Sequence, residues 1–564
     1  MKNSTFSPER KDIIKIARGI LQGVILITLL IIVIKALFSF SVYESYDSSK
    51  LSNSQDTGFI AVSYFGVDRT GSDTLISSKR LDEHIKALKD NGYVTITQND
   101  IMNYYLKGKA LPPKSLFLLF EDGRRDTAIF ARKIIEEYNL KATMLTYADK
   151  FAKEDSKFLK ANDLLELVDS SYWELGTNGY RLEYINVFDK TSNYLGRLNS
   201  VEFAKVASNI DRNYNHYLMD YIRDEYNIPT ESYEEIKQRI DSDYESLSKV
   251  YTEELSQVPK LYALMHSNTG QFGTNDKVSE INGRWIKDLF NMNFNREGYS
   301  LNSSASSIYD LTRIQPQSYW STNHLLMRIW DDTKQDIDFV VGDEEKSSKF
   351  KEVSGKAEFK DDTIILTSLP EGKGTLKLLD SDNYKDIKVS TLLNGNVIGS
   401  QAIYLRSNED QSNSLCVQLM NNVINIIENS KGNKKVIFSL NLSEDHGKNE
   451  EEKFDIKDVG SRKIDITLAN NKISLAMDES IVVKDLEVNN DDVGSIYLES
   501  AWGEYGYSQR NIADDVYDGV FKKLKVTDVN DNELHDSSLK AIDGVIYSIK
   551  KSFNIIIDWF IKYL

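Results

Sequence analysis

The run LFLLFEDGRRD (116–126) closes an apolar segment on two adjacent acids, Glu121 and Asp122, then a glycine and the start of a helical pattern. Two carboxylates side by side can divide general acid and base work or hold a metal ion. They can equally be an acid pair that favours a helix N-terminus, and the residues alone leave these readings open. Should the apolar segment be a barrel strand, its carboxyl end is the face on which active sites are built.

The elements around this pair set the fold class. Apolar runs suited to buried strands, FIAVSYF (59–65), SLFLLF (115–120) and KATMLTY (141–147), alternate with helical patterns at 79–91 and 127–138. That alternation predicts an α/β domain with a parallel sheet. Residues 189–257 are charged and read as a helical insertion, with Ser232 and Glu235 as a capping box and Ile236, Ile240, Leu247 and Tyr251 at helical spacing. From 355 to 528 short alternating runs such as DTIILTSL, KVIFSLNL and GSIYLES are punctuated by Asn394-Gly395, Lys431-Gly432 and Asn470-Asn471, which predicts an all-β antiparallel sandwich. The charged run DHGKNEEEK (445–453) reads as a solvated loop.

Residues 19–42, GILQGVILITLLIIVIKALFSFSV, carry a single charge, Lys35, and are long enough for a transmembrane helix. Lys2, Arg10, Lys11, Lys15 and Arg18 precede this run and Glu44 and Asp47 follow it, so the positive-inside rule leaves residues 1–18 in the cytoplasm and the bulk of the chain outside. The competing reading is a cleaved signal peptide, for which the apolar run is longer than usual. Lys35 reads as a snorkelling residue near the outer boundary. Residues 43–57 are polar and serine-rich and predict a short tether. At the other end, residues 538–564 place Ile542, Val545, Ile549, Phe553, Ile556 and Phe560 on one helical face. This amphipathic helix is too charged to span a bilayer and suits the outer leaflet, a membrane partner, or the chain's own domains.

Composition narrows the partners. The 564 residues allow several domains, and the formal net charge of −17 disfavours a phosphate-backbone ligand, so nucleic acid is not expected. One cysteine, Cys416, excludes an intrachain disulfide and cysteine-rich zinc sites.

The stretch SLFLLFEDGRRDTAIFARKIIEEYNLKATMLTYADKF (115–151) resembles the NodB-like polysaccharide deacetylase family, whose first motif is a strand ending in TFDDG, then a helix, then a KAT-F strand. FIAVSYFGV (59–67) is similar to its opening strand and WELGTNGYRL (173–182) to its second motif, E-I-G-S-H-T-x-S-H. The resemblance covers roughly 58–335 and implies a (β/α) barrel. In active members one aspartate and two histidines hold a divalent metal, and a neighbouring aspartate is the base. It implies Glu121 at the base position and Asp122 at the metal aspartate, whereas Asn178 and Leu182 stand at the histidine positions and Phe65 at the opening-strand histidine. Leucine cannot ligate a metal. His266 lies where the family has its third-motif loop and is the one remaining imidazole placed to approach Asp122, although a lone histidine at a strand end is more often structural. An oxygen set of Glu121, Asp122 and the Asn178 carbonyl is the other metal reading. No cofactor is expected beyond such a divalent ion. DLTRIQPQSYWSTNHLL (310–326) is similar to the segment that closes these barrels, which makes Arg313 and Trp320 structural.

Residues 355–528 resemble the concanavalin-like (laminin-G-like) jelly-roll sandwiches attached to secreted glycan-active proteins. The resemblance implies polysaccharide binding, with Trp502, Tyr505 and Tyr507 as stacking residues or as aromatics folded onto the barrel. Trp173 and Tyr180 are the corresponding candidates in the barrel cleft. The expected protein is membrane-anchored and extracytoplasmic and acts in polysaccharide assembly or modification. Its degenerate barrel binds or scaffolds glycan, the alternative being an active deacetylase or glycan hydrolase with an atypical site. A membrane-bound synthase or secretion complex is the implied partner.

Overall fold

The structure, a computed structural model, describes residues 15–28, 42–47, 57–152, 155–211, 214–264, 272–442, 458–503 and 514–539. A nine-stranded sheet forms the first domain. Seven of its strands are parallel and follow one another round the ring: β1 (Phe59–Tyr64), β2 (Ser115–Phe120), β3 (Ala142–Tyr147), β4 (Trp173–Gly179), β5 (Leu261–Ala263), β6 (Met292–Glu297) and β7 (Leu311–Arg313). Just past β7, Ile314 returns to β1: Ser63 N–H donates to its carbonyl at 2.9 Å and its own N–H donates to Ala61 at 3.0 Å, which closes the barrel. Two-residue strands at Val94–Thr95 and Leu301–Asn302 flank β2 and β1.

Strands covered on both faces read as unbroken apolar runs, and alternate residues part into two cores. Phe59, Ala61, Phe117, Leu119, Leu145 and Phe294 fill the barrel interior, together with Ile101 and Tyr104 of the helix Gln98–Lys107. The intervening residues, among them Ile60, Val62, Leu116 and Leu118, pack outward in a separate core that includes buried residues of the surrounding helices. At the carboxyl ends of the strands Ser63, Glu121, Asn178 and Arg313 are buried polar residues, and this change of chemistry marks the candidate site.

The insertion differs from the expected helical one. The strands Glu183–Phe188, Tyr194–Asn199 and Asn215–His216 form a three-stranded antiparallel sheet, a short helix Ser200–Val206 follows the second of them, and the 23-residue helix Tyr233–Leu255 connects β4 to β5 as one of the barrel's crossovers. Its capping box is present: Ser232 Oγ accepts from Glu235 N at 3.3 Å and the Glu235 carboxylate accepts from Ser232 N at 2.7 Å. Ile236, Ile240, Leu247 and Tyr251 are its buried face. The strand Tyr194–Asn199 is mostly polar and partly exposed, and Glu183–Phe188, though buried at Tyr184, Ile185 and Val187, is a short run beside a charged stretch that reads as helical.

The second domain is two antiparallel sheets of seven and eight strands, running from Phe350 to Asp536 and so a few residues wider than 355–528 at each end. Lys431-Gly432 and Asn470-Asn471 sit at positive φ in two-residue hairpin turns, where that backbone matches the strand twist. The domains meet along the helix Thr322–Thr333. His324 lies between Asp514 (3.0 Å) and Asp518 (3.2 Å), Arg328 pairs with Asp514 at 2.7 Å, and Lys360 pairs with Glu83.

Of the expected membrane span, residues 29–41 lie outside the described residues; residues 15–28 are helical and expose Ile20, Leu21, Val24 and Leu26. Among the described residues no helix is long and apolar enough to cross a membrane. Most of the amphipathic segment 538–564, from residue 540 onward, and the charged run 445–453 also lie outside them. The beginning of the tether is not free: residues 43–46 hydrogen bond to the barrel.

Candidate functional site

Glu121 continues β2 by one residue, its N–H bonded to the Tyr64 carbonyl, and the chain then reverses tightly. Asp122 has φ 64° and Gly123 φ 60°, and Gly123 N–H donates back to the Glu121 carbonyl at 2.9 Å. A left-handed aspartate costs about 1–2 kcal/mol, and such strain is held only where neighbours over-determine it. Asn178 is one such neighbour. Its Oδ1 accepts from Asp122 N–H at 3.1 Å, and its Nδ2 donates to the Ala263 carbonyl at 2.9 Å, tying β2, β4 and β5 together.

The Glu121 carboxylate is fully buried. One oxygen, Oε1, accepts from Ser63 Oγ (2.6 Å), Arg313 Nε (2.9 Å) and Gln315 Nε2 (2.8 Å). Burial opposes its charge, but the Arg313 guanidinium and these hydrogen bonds outweigh burial and hold the group below the ordinary carboxylate value. Arg313 is itself fully buried, reaching Glu297 at 3.2 Å and the carbonyls of Phe294 and Arg296. Glu121 Oε2 is buried without a hydrogen-bond partner, and so is Asp122 Oδ1. Asp122 shifts the other way: burial together with the Glu121 charge pushes its carboxyl up to about 7. The hydroxyl of Tyr147, at the end of β3, is likewise buried and unpartnered, and burial and the Asp122 charge raise that phenol well above its usual value. The two acids therefore have divergent proton affinities, a pattern that separates an ionised group from a protonated one near neutrality.

The donors do not fit a one-aspartate, two-histidine metal set. The Asn178 amide is already bonded on both sides, and Leu182, packed beside Tyr184, carries no donor atom. The oxygen set of Glu121, Asp122 and Asn178 is brought together, but Glu121 is engaged by Arg313 and the Asn178 carbonyl turns to the Asp122 backbone. His266 lies outside the described residues. Among the described residues no group of three His, Cys, Asp or Glu side chains is placed to hold a metal ion.

One aromatic expectation needs correction, and for Trp502 the structure favours the second of its two readings, an aromatic folded onto the barrel. Trp173 does not line a cleft: it is 1% exposed and packs on Phe120 at 5.4 Å between ring centres, because its position at the start of β4 points it into the outer core. Trp502 lies at the junction of the domains, where a small cavity is lined by Tyr319, Asn396 and Tyr517 as well, and its indole N–H is buried without a partner. It is thus half-buried and turned toward the barrel. Tyr180 follows β4, partly covered, with the Arg181 guanidinium 5.6 Å from its ring centre. Tyr505 and Tyr507 lie outside the described residues.

Sequence reading missed Ser63, Gln315 and Tyr147 and took Arg313 as structural only. Arg313 ends β7 and Gln315 lies two residues on, and the signals available for this group are a basic and an amide side chain in the closing segment and a lone serine, Ser63, inside the apolar run of β1.

No family model matches the chain. A curated Bacillus subtilis (strain 168) chain named as a polysaccharide deacetylase, YxkH, is 29% identical over 75 residues; these are 13% of this chain and only 27% of that relative. Similar solved structures include a Streptococcus pyogenes deacetylase, PplD, in complex with acetate (12% identity, 49% of this chain and 99% of that one, TM-score 0.33). The deacetylase domain of BpsB from Bordetella bronchiseptica is another (13%, 46% and 97%, TM-score 0.36). The chain resembles polysaccharide deacetylases. A further similar structure is a Bacillus subtilis carbohydrate-binding module, CBM66 (14%, 32% and 94%, TM-score 0.23).

Proposed function

We propose that this chain is a membrane-anchored, extracytoplasmic component of polysaccharide assembly or modification, whose deacetylase-like barrel binds or scaffolds glycan and no longer performs metal-dependent deacetylation. The observation that carries this is the bonding of the site. Glu121 at the base position is locked as a carboxylate by Arg313, and Asn178 at a histidine position is consumed by the backbone of its neighbours. A base already neutralised by a buried guanidinium gains little by taking a proton, so the pair holds β2 to β7 instead of activating water. Residues 19–42 support the anchoring, and the attached sandwich supports a polysaccharide ligand.

The test is acetate release from acetylated oligosaccharides, run with metal analysis of the purified chain and a glycan-binding assay. Glycan retention without acetate release is the expected result. Stoichiometric tightly bound metal, with release abolished by Asp122→Asn, would overturn it in favour of an enzyme. One observation favours a second reading, hydrolysis by the carboxyl pair alone: Asp122 and Tyr147 each keep a buried polar atom unpartnered beside Glu121. Acetate or sugar release that survives chelation and is lost in Asp122→Asn would establish that reading.

A further inference from the structure

We infer that the barrel is docked on the membrane by the amino-terminal rim of its strands, with its candidate site facing away from the bilayer. This rests on the reading of residues 19–42 as a membrane anchor and adds an orientation to it. The chain leaving that apolar run is strapped to the barrel at once. Tyr43 N–H donates to Ser171 Oγ at 2.8 Å, and its hydroxyl donates to the Thr95 carbonyl at 3.3 Å. Glu44 and Asn139 exchange two hydrogen bonds, Glu44 N–H to Asn139 Oδ1 at 3.0 Å and Asn139 Nδ2 to the Glu44 carbonyl at 2.8 Å. The Tyr46 hydroxyl donates to Asp100 at 3.2 Å, and Tyr43 packs edge-on to Tyr172 with the Lys141 ammonium 5.5 Å from its ring centre.

Asn139, Lys141, Ser171 and Tyr172 immediately precede β3 and β4, and Thr95 pairs near the start of β2, so all these partners belong to one rim. Val42, the last residue of the apolar run, is 69% exposed and one residue from the first of these bonds. No free linker separates the anchor from the domain. That rim presents an apolar side chain flanked by cations: Leu106 is 69% exposed beside exposed Lys107 and Lys109, on the end of the helix that plugs the barrel and the loop that leads to β2, while the strap exposes Glu44 and Asp47. Glu121 and Asp122 stand at the other end of β2, about 20 Å along a six-residue strand. The polymer that this face meets is therefore one already clear of the membrane surface.

The experiment uses the full chain in phosphatidylcholine and phosphatidylglycerol vesicles that carry a nitroxide on the lipid headgroup. A fluorophore is placed at Leu106→Cys on the rim or at Ser156→Cys in the exposed loop after β3; the native Cys416 is buried and stays unlabelled. Loss of emission at position 106 but not at 156 is expected, and Tyr43→Ala with Asn139→Ala should abolish the difference while the chain still floats with the vesicles. Equal loss at both positions, greater loss at 156, or a difference that survives the strap variant would overturn the orientation and leave the anchor standing. Failure of the chain to float with vesicles would overturn the anchor and the orientation together.

Discussion

Arg313 Nε lies 2.9 Å from Glu121 Oε1, with both side chains fully removed from solvent, and this contact joins strands that are 192 residues apart in the chain. It occupies the position where the family resemblance places a catalytic base. A buried ion pair is weak evidence of stability in itself, but breaking it from one side leaves an uncompensated charge.

Arg313→Met should therefore destabilise the barrel by about 3–5 kcal/mol, since Glu121 is then buried with only Ser63 and Gln315 as partners. Adding Glu121→Gln to that variant should recover a large part of the loss. Urea unfolding of the single and double variants measures both, and a single-variant loss under about 1 kcal/mol would refute the clamp.

Gly123 should be required at the turn that presents Asp122. Its φ is 60°, and a methyl group there would stand 2.6 Å from Thr146 Cγ2. Gly123→Ala is expected to lose about 1–2 kcal/mol to the backbone and about 1–3 kcal/mol more to overpacking. Thr146→Ser removes that methyl and keeps the hydroxyl that meets Tyr251 at 2.8 Å, so the double variant should regain the packing part only. No recovery in thermal unfolding would show that the contact is not the cause.

What was legible in the sequence and what was not divide along physical lines. The strands SLFLLF and KATMLTY are covered on both faces, so their burial is written in local composition, and the Ser232 to Glu235 box is a spacing of three residues. The strands of 183–199 pair with one another, and the buried run of the first, Tyr184, Ile185 and Val187, is too short to stand out beside a stretch whose charges read as helical. At the site, Glu121 and Asp122 were visible as a pair. Their difference was not, because it arises from Arg313 and Gln315, brought in by barrel closure. Trp173 looked like a cleft aromatic by its place in a motif, whereas strand parity turns it into the core.

Asn178 should prove to be a structural residue. Replacing it by leucine leaves the Asp122 N–H and the Ala263 carbonyl buried without their side-chain partner, each worth about 1–3 kcal/mol. Asn178→Leu is expected to lose at least about 2 kcal/mol in urea unfolding. A neutral outcome, with glycan binding unchanged, would mean that the amide is dispensable to the turn.

His324 should make the union of the two domains sensitive to alkaline pH. Burial disfavours its charge, but Asp514 and Asp518 on either side outweigh burial and raise the imidazolium to about 9, against an ordinary 6.5. Because the folded value is the higher one, this stabilisation is fully present below pH 6.5 and is lost as pH rises through about 9. Its size is roughly 3 kcal/mol. Asp122 and Asp243, both raised to about 7, are already ionised above pH 8, so the span from pH 8 to 10 isolates the histidine from them. In that span the urea midpoint should fall for the native chain, and His324→Gln should lower stability at pH 7 and flatten the dependence. A native chain equally stable at pH 7 and pH 10, or a variant with the same slope, would show that the histidine does not carry its charge between Asp514 and Asp518.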